Sequence, residues 1–292
     1  MKKLSCFLFL GILFFASCND GAKTVAEGDA VDSTTTNPAQ DWKFGVALWT
    51  FHTFNFVESL DKVDSAGLKY IEPNTFHKAG PELKDSLITQ LSNAGIDKLK
   101  GLIAQKGLIM KSIYIGGDST LQSWVKQFEI ARQFGVEFVT AEPPMHLWDS
   151  IDSLAGAFNM KVAIHEHWKG TSLYWNPDTV LLAIKGRPNF GACADLGHWP
   201  KSGIDPVDAV KKLSGHIIGI HLKDIAAFND PTLRDVPVGT GVINFPLVFE
   251  ELNRQNFKGY IYIERDAEDL PSNLPSVIKT IQYYNDQVSK LK

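Results

Sequence analysis

The chain has 292 residues, 44% of them hydrophobic, and a formal charge of −4. That composition is ordinary for a globular protein. With 29 basic against 33 acidic residues it lacks the basic excess that binding to nucleic acid uses, so no nucleic-acid partner is expected.

The first segment in chain order is 1–18. It opens with MKK, continues as the short apolar run LSCFLFLGILFF and ends in small residues before Cys18. Such a run is too short to span a bilayer comfortably and has the layout of a secretory signal. A cysteine directly after small residues resembles a bacterial lipoprotein cleavage box, with Phe15 where Leu is usual. The expected mature chain is exported and held in the cell envelope, its only membrane attachment a lipid on Cys18. Residues 19–41 (NDGAKTVAEGDAVDSTTTNPAQD) almost lack large apolar side chains and cannot build a core, so they are expected to be a disordered tether. Of the three cysteines, Cys6 falls in the signal and Cys18 carries lipid. Cys193 then stands alone in an apolar run, without a disulfide partner, as a buried small hydrophobe.

From residue 42 to 292 short β-rich runs alternate with amphipathic stretches. The runs are FGVALW (44–49), KYIEP (69–73), LIMKSIYIG (108–116), VEFVTAE (136–142), KVAIHEH (161–167), NFGACADLGH (189–198), HIIGIHL (216–222) and GYIYIER (259–265). Between them, segments such as FVESLDKVDSAG and TLQSWVKQFEIARQFG repeat apolar residues at three- and four-residue spacing, as helices with one buried face do. Gly67, Gly107, Gly135 and Gly215 stop such segments, where a left-handed C-cap suits glycine. Eight strand-then-helix units imply a parallel sheet. The segment FGVALWTFHTFN carries no Gly-rich phosphate turn, against an open doubly wound sheet. The fold class is therefore α/β, a single (β/α)8 TIM barrel over 42–292, close to the ~250 residues such barrels use.

Active sites of these barrels lie at the C-terminal strand ends. Those ends carry Trp49 and His52, Glu72, Tyr114, Glu142, the triplet His165–Glu166–His167, Asp195 with His198, His221 with Lys223 and Asp224, and Glu264 with Arg265 and Asp266. Taken singly, Glu72 could cap a helix, Asp224 could anchor a loop, and a lone strand-end histidine is more often a satisfied core residue than a ligand. Five successive strands ending in Glu, His, Asp, His and Glu converge on one mouth, and such a mixture of oxygen and nitrogen donors suits a divalent ion: manganese, zinc, cobalt or magnesium. The triplet is not an HExxH motif, because residue 169 is Lys.

The chain resembles the xylose-isomerase-like TIM-barrel superfamily, which includes sugar isomerases, ketose 3-epimerases, inosose dehydratase and endonuclease IV. The resemblance covers roughly 43–290 and is carried by GLKYIEPN (67–74), VAIHEH (162–167), CADLGHW (193–199), GIHLKD (219–224), LRDVPVGTGVINFPLVFEEL (233–252) and GYIYIER (259–265). It implies a metal held by Asp195, His221 and Glu264, with a Glu on the fifth strand as the fourth ligand. There the chain departs from the family's Glu-Asn-His and reads His165-Glu166-His167. Strand alternation puts His165 and His167 on one face, so His165 is favoured over Glu166 as the ligand. His198 is similar to a substrate contact of the family, and Arg234 to an arginine that reaches substrate hydroxyls.

What the resemblance implies is metal-assisted proton abstraction beside a carbonyl, through an enediolate. Glu264 or Glu142 would take the proton and Lys223 or a histidine would return one. Trp49, His52, Glu72, His167, His198 and Arg234 are the candidate substrate contacts. Trp49, Trp168 and Trp199 could stack on a sugar or pack under the loops. An exported enzyme meets few sugar phosphates, so the expected partner is a non-phosphorylated sugar or glycoside; the sequence is compatible with a homo-oligomer. The first reading is an isomerase or epimerase. The alternative is a lyase or dehydratase that expels the C1 substituent of 3-keto-glycosides, and a third is a sugar-binding lipoprotein without catalysis.

Overall fold

The alternation of β-rich runs and amphipathic stretches becomes strand and helix in turn. The computed structural model describes residues 38–291. The expected signal 1–18, the lipid on Cys18 and the tether up to residue 37 lie outside the described residues. A 3-10 turn at Pro38–Asp41 leads into the barrel, and Ala39 within it is 5% exposed.

Strands β1 (Lys43–Ala47), β2 (Tyr70–Glu72), β3 (Ile109–Met110), β4 (Ser112–Tyr114), β5 (Phe138–Ala141), β6 (Lys161–His165), β7 (Phe190–Asp195), β8 (Ile217–Leu222) and β11 (Tyr260–Ile263) form one parallel sheet in the order β3-β2-β1-β11-β8-β7-β6-β5-β4. The run 108–116, expected as one strand, is divided at Lys111 into β3 and β4, the two ends of that order. The first piece pairs with β2 and the second with β5. A bridge between Asn74 and Tyr114 joins the β2 side to β4, with Tyr114 N–H donating to Pro73 O at 2.7 Å and Thr75 N–H to Tyr114 O at 2.9 Å. The sheet thereby curls round to an eight-spoked barrel.

The main helices lie between the strands. They are α1 (Phe56–Ser65), α2 (Asn93–Gln105), α3 (Leu121–Phe134), α4 (Trp148–Ala157), α5 (Pro177–Ile184), α6 (His198–Lys201), α7 (Pro206–Lys212), α8 (Phe245–Arg254) and α9 (Leu274–Val288). Side-chain caps start several of them: Asn55 accepts from Glu58 N–H while the Glu58 carboxylate accepts from Asn55 N–H, so two otherwise orphaned donors are satisfied. All four glycines expected as stops have φ between 65° and 79°. The larger core packs helices on the outside of the sheet. A smaller one fills the barrel with Ala47, Phe138, Ala163, Cys193, Tyr260 and Tyr262. Cys193 is buried as expected, and burial pushes its thiol up to about 12.

A long connection after β8 reaches back over the mouth. Its hairpin pairs β9 (Asp224–Ile225) antiparallel to β10 (Asp235–Val236). Asp224 anchors it: the carboxylate accepts backbone N–H groups from Ile225, Gly239, Gly241 and Ile243. The Arg265 guanidinium ties the other side to Asp235, and both residues are buried.

Candidate active site

Because successive side chains of a strand alternate between its faces, the last inward residue of each strand points into the barrel mouth. Here those residues are Glu72, His165, Asp195 and His221, joined by Glu264 just after β11. His165 Nε2 lies 3.4 Å from Asp195 Oδ2 and 3.1 Å from His221 Nδ1. His221 Nδ1 lies 3.0 Å from Glu264 Oε2 and 3.8 Å from Asp195 Oδ2. One donor atom from each of His165, Asp195, His221 and Glu264 falls within 4.8 Å of all the others. Glu166 is not among them. It is fully buried on the other face of its strand, Oε2 accepts Asp195 N–H at 3.2 Å, and burial raises its carboxyl pKa well above the usual range.

Two features make this donor set fit a divalent cation. Asp195 Oδ2 and Glu264 Oε2 are buried, and although nitrogens lie within 3.0–3.8 Å, neither oxygen receives a hydrogen bond in good geometry. Buried carboxylates without aligned donors are costly unless a cation offsets them. Secondly, three carboxylates crowd one ammonium: Lys223 Nζ is 3.1 Å from Asp195, 3.0 Å from Glu264 and 2.9 Å from Asp266. Burial opposes the charge on Lys223, but the three carboxylates outweigh it and hold its pKa well above the ordinary value.

Glu72 sits beneath this group, 2% exposed. Its Oε1 is 2.7 Å from His221 Nε2, and its Oε2 accepts from Thr140 Oγ1 at 2.6 Å. A carboxylate can only accept, so the proton of His221 is on Nε2 and Nδ1 is directed to the cluster. Glu72, expected at the substrate, thus has one oxygen engaged by His221 and the other by Thr140, although it forms part of the cavity floor.

A cavity of about 450 Å³ opens above the cluster. Trp49, His165, His167, His198, Lys223, Arg234 and Glu264 all border it, as do Asn74, Phe76, Lys201 and Asp266, which the sequence did not single out as contacts. Asp195 and His221 are wholly buried behind the wall. His52 lies to one side, stacked on Trp49 at 4.5 Å and 3.0 Å from Glu268. Of the tryptophans, Trp49 and Trp168 border the cavity whereas Trp199 is packed in the core.

Glu142 is part-buried and is not among the residues of the cavity wall. Its carboxylate receives Tyr114 Oη at 3.1 Å and Ser172 Oγ at 2.5 Å, and lies 2.9 Å from His167 Nδ1 without a hydrogen bond in good alignment. Burial works against its charge, but His167, His165 and the Ser172 hydroxyl prevail and bring its pKa to about 2. His167 in turn stacks on His198, ring centres 4.9 Å apart. Burial lowers the His198 pKa well below the ordinary value, and Lys223 Nζ stands 3.2 Å from its Nε2. The mouth therefore joins carboxylates, an ammonium and a histidine that stands beside a further carboxylate around one space, a set that can move protons to and from a small polar ligand.

A family model described as xylose isomerase-like TIM barrel matches residues 60–286. Inosose dehydratase from Mesomycoplasma hyopneumoniae is 27% identical over 143 residues, which cover 43% of this chain and 48% of that protein. The chain spans about half the length of the curated relatives it matches. Among solved structures, an uncharacterized protein from Parabacteroides distasonis is 35% identical, with a TM-score of 0.66 over 84% of this chain and 99% of that one. The IOLI protein, solved with a zinc atom, has a TM-score of 0.72 at 18% identity, over 86% of this chain and 99% of that one. At that identity the likeness is one of fold.

Proposed function

The chain belongs to the xylose isomerase-like TIM-barrel family, and from that premise we propose that it is a metal-dependent carbon–oxygen lyase acting on a non-phosphorylated keto-sugar or keto-glycoside. The supporting observation is the unequal acid–base lining of the cavity. Three carboxylates border it, but Glu72 is taken up by His221 and Thr140 and Asp266 by Trp49 and Lys223, which leaves Glu264 Oε2 as the one without an aligned donor; Glu142, beside His167, is not part of the wall. An epimerase moving a proton between the two faces of a carbon is better served by two carboxylates across the substrate. A carboxylate on one side and a histidine beside a further carboxylate on the other suit removal of a proton from carbon and delivery of one to a departing oxygen.

In this reading Glu264 takes the proton from the carbon beside the carbonyl. The carbon–carbon double bond forms as the carbon–oxygen bond one position further on breaks. His167, with the Glu142 carboxylate 2.9 Å from its Nδ1, gives its proton to the leaving oxygen; in reverse the same groups add water. Lys223, kept as an ammonium, steadies negative charge at the reacting end, and Arg234 and Trp49 hold the sugar. His165, Asp195, His221 and Glu264 would hold the divalent ion, and Glu264 would serve as the base as well. Two imidazoles in the set favour a transition ion such as zinc, manganese or cobalt over magnesium. Such an ion supplies Lewis-acid stabilisation of the charge that builds on the carbonyl oxygen. Export and a lipid on Cys18 would place the enzyme where phosphorylated sugars are scarce.

An isomerase or epimerase is the second reading, favoured by the same His167–Glu142 pair, which could return the proton to carbon instead. Incubation in D₂O with a 3-keto-glycoside and with a free ketose, followed by NMR, separates the two. Release of the C1 substituent is expected. Deuterium on an intact skeleton would favour epimerisation, and no turnover with or without added metal would sink both.

A further inference from the structure

Beside the cavity over the acid cluster lies a second space of about 400 Å³. Trp49, Asn74 and Phe76 belong to the walls of both, so the two spaces adjoin along a shared aromatic ridge. Phe76 is 42% exposed and meets Trp49 edge to face, ring centres 6.1 Å apart. Resting on the lyase reading above, we propose that this groove is a second carbohydrate subsite. It holds the sugar ring beyond the scissile carbon–oxygen bond while the first ring lies over the cluster.

The class of ligand follows from what the groove wall presents. The exposed Thr53 and the part-exposed His52 and Asn55 stand beside the rings of Trp49 and Phe76. Polar groups able to exchange hydrogen bonds, set next to exposed rings, suit a ligand that carries hydroxyl groups on an otherwise apolar face. The charged wall residues, Lys78 and Asp85, are opposite in sign, and His52 is met by Glu268, which suits a neutral ligand rather than an anionic one. Exposed aromatic rings beside hydrogen-bonding groups are what the apolar faces and hydroxyl edges of a sugar ring match.

The test is calorimetric binding to the full chain, with cellobiose, maltose and lactose compared against methyl glucoside and methyl galactoside. A disaccharide is expected to bind about tenfold more tightly than its matching methyl glycoside, the worth of one added aromatic contact. Thr53→Trp, an exposed position on the groove wall, is expected to fill the groove and bring that ratio close to one; Phe76→Ala is expected to reduce it as well. A ratio near one in the unaltered protein, or one that Thr53→Trp leaves intact, overturns the subsite while leaving the lyase reading standing. Binding of neither class of sugar overturns the carbohydrate reading and the subsite with it.

Discussion

Replacing Glu72 with Gln tests whether the site depends on the orientation of His221. The Glu72 Oε1 to His221 Nε2 distance is 2.7 Å, and both side chains are out of solvent. Gln keeps the shape and one acceptor, so the change removes chiefly the negative charge. A hydrogen bond to a charged group contributes about 1.5–3 kcal/mol and a neutral one about 0.5–1.5. The substitution therefore costs about 1–2 kcal/mol of preference for the form with Nδ1 free, or roughly 5- to 30-fold in metal affinity. That overlaps the lower part of the ~10–100-fold loss usual when the partner of a metal-binding histidine is changed. Glu72→Ala leaves Nε2–H and the Thr140 hydroxyl without their acceptor in the interior. It should fall at the upper end of that range and destabilise the fold by a further ~1–3 kcal/mol. Zinc affinity is measured by competition with a chromophoric chelator, alongside circular dichroism and a melting curve in EDTA. If Glu72→Gln binds zinc as tightly as the unaltered chain, the orientation argument fails. A variant that merely unfolds would show itself in the EDTA melt.

Three further outcomes follow from the same geometry. Zinc at a hundred times its Kd should stabilise the protein by about 2.7 kcal/mol in a thermal melt. Asp195→Asn, which keeps an acceptor for the Gly197 and His198 N–H groups but loses the charge, should abolish that gain. Glu142 titrates at about 2 when folded against 4.5 ordinarily, so the unfolded chain takes up this proton first as pH falls. Its contribution is complete above about pH 4.5 and is lost toward pH 2. Glu142→Gln should thus lose up to ~3 kcal/mol at neutral pH, with the gap to the unaltered chain closing across that window in denaturant titrations. Asp224→Ala should cost ~2–4 kcal/mol in urea unfolding, because four backbone N–H groups of the mouth connection lose their acceptor.

Much of the barrel was legible because its signals are local. Strand runs, amphipathic repeats and the glycine stops at Gly67, Gly107, Gly135 and Gly215 depend on near neighbours in sequence. The division of 108–116 at Lys111 was not legible, since it arises where one run must pair with β2 on one side and β5 on the other. The convergence of His165, Asp195, His221 and Glu264 could be anticipated because strand ends are tied to topology. Partnerships across the barrel could not. His221 and Glu72 are 149 residues apart, and Glu142 meets Tyr114, Ser172 and His167, which stand on other segments. Trp199 was ambiguous for another reason: the chain turns into α6 at His198, and that turn carries Trp199 into the core.

The fifth strand bears most directly on the chemistry. Alternation turns His165 toward the cluster and Glu166 away, where Glu166 is occupied by the Asp195 N–H. A neutral imidazole in place of a carboxylate keeps the number of donor atoms but removes one negative charge from a buried group. Asp195, Glu264 and Asp266 can then be offset by Lys223 together with a single dication. The same exchange takes away a base. A cluster with one carboxylate bordering the cavity can remove a proton from carbon on that side, while a proton from the His167 side comes from a nitrogen acid. Proton delivery to an oxygen leaving group is easier for such an acid than delivery to carbon, and this is the physical reason that the proposed reading favours elimination over epimerisation.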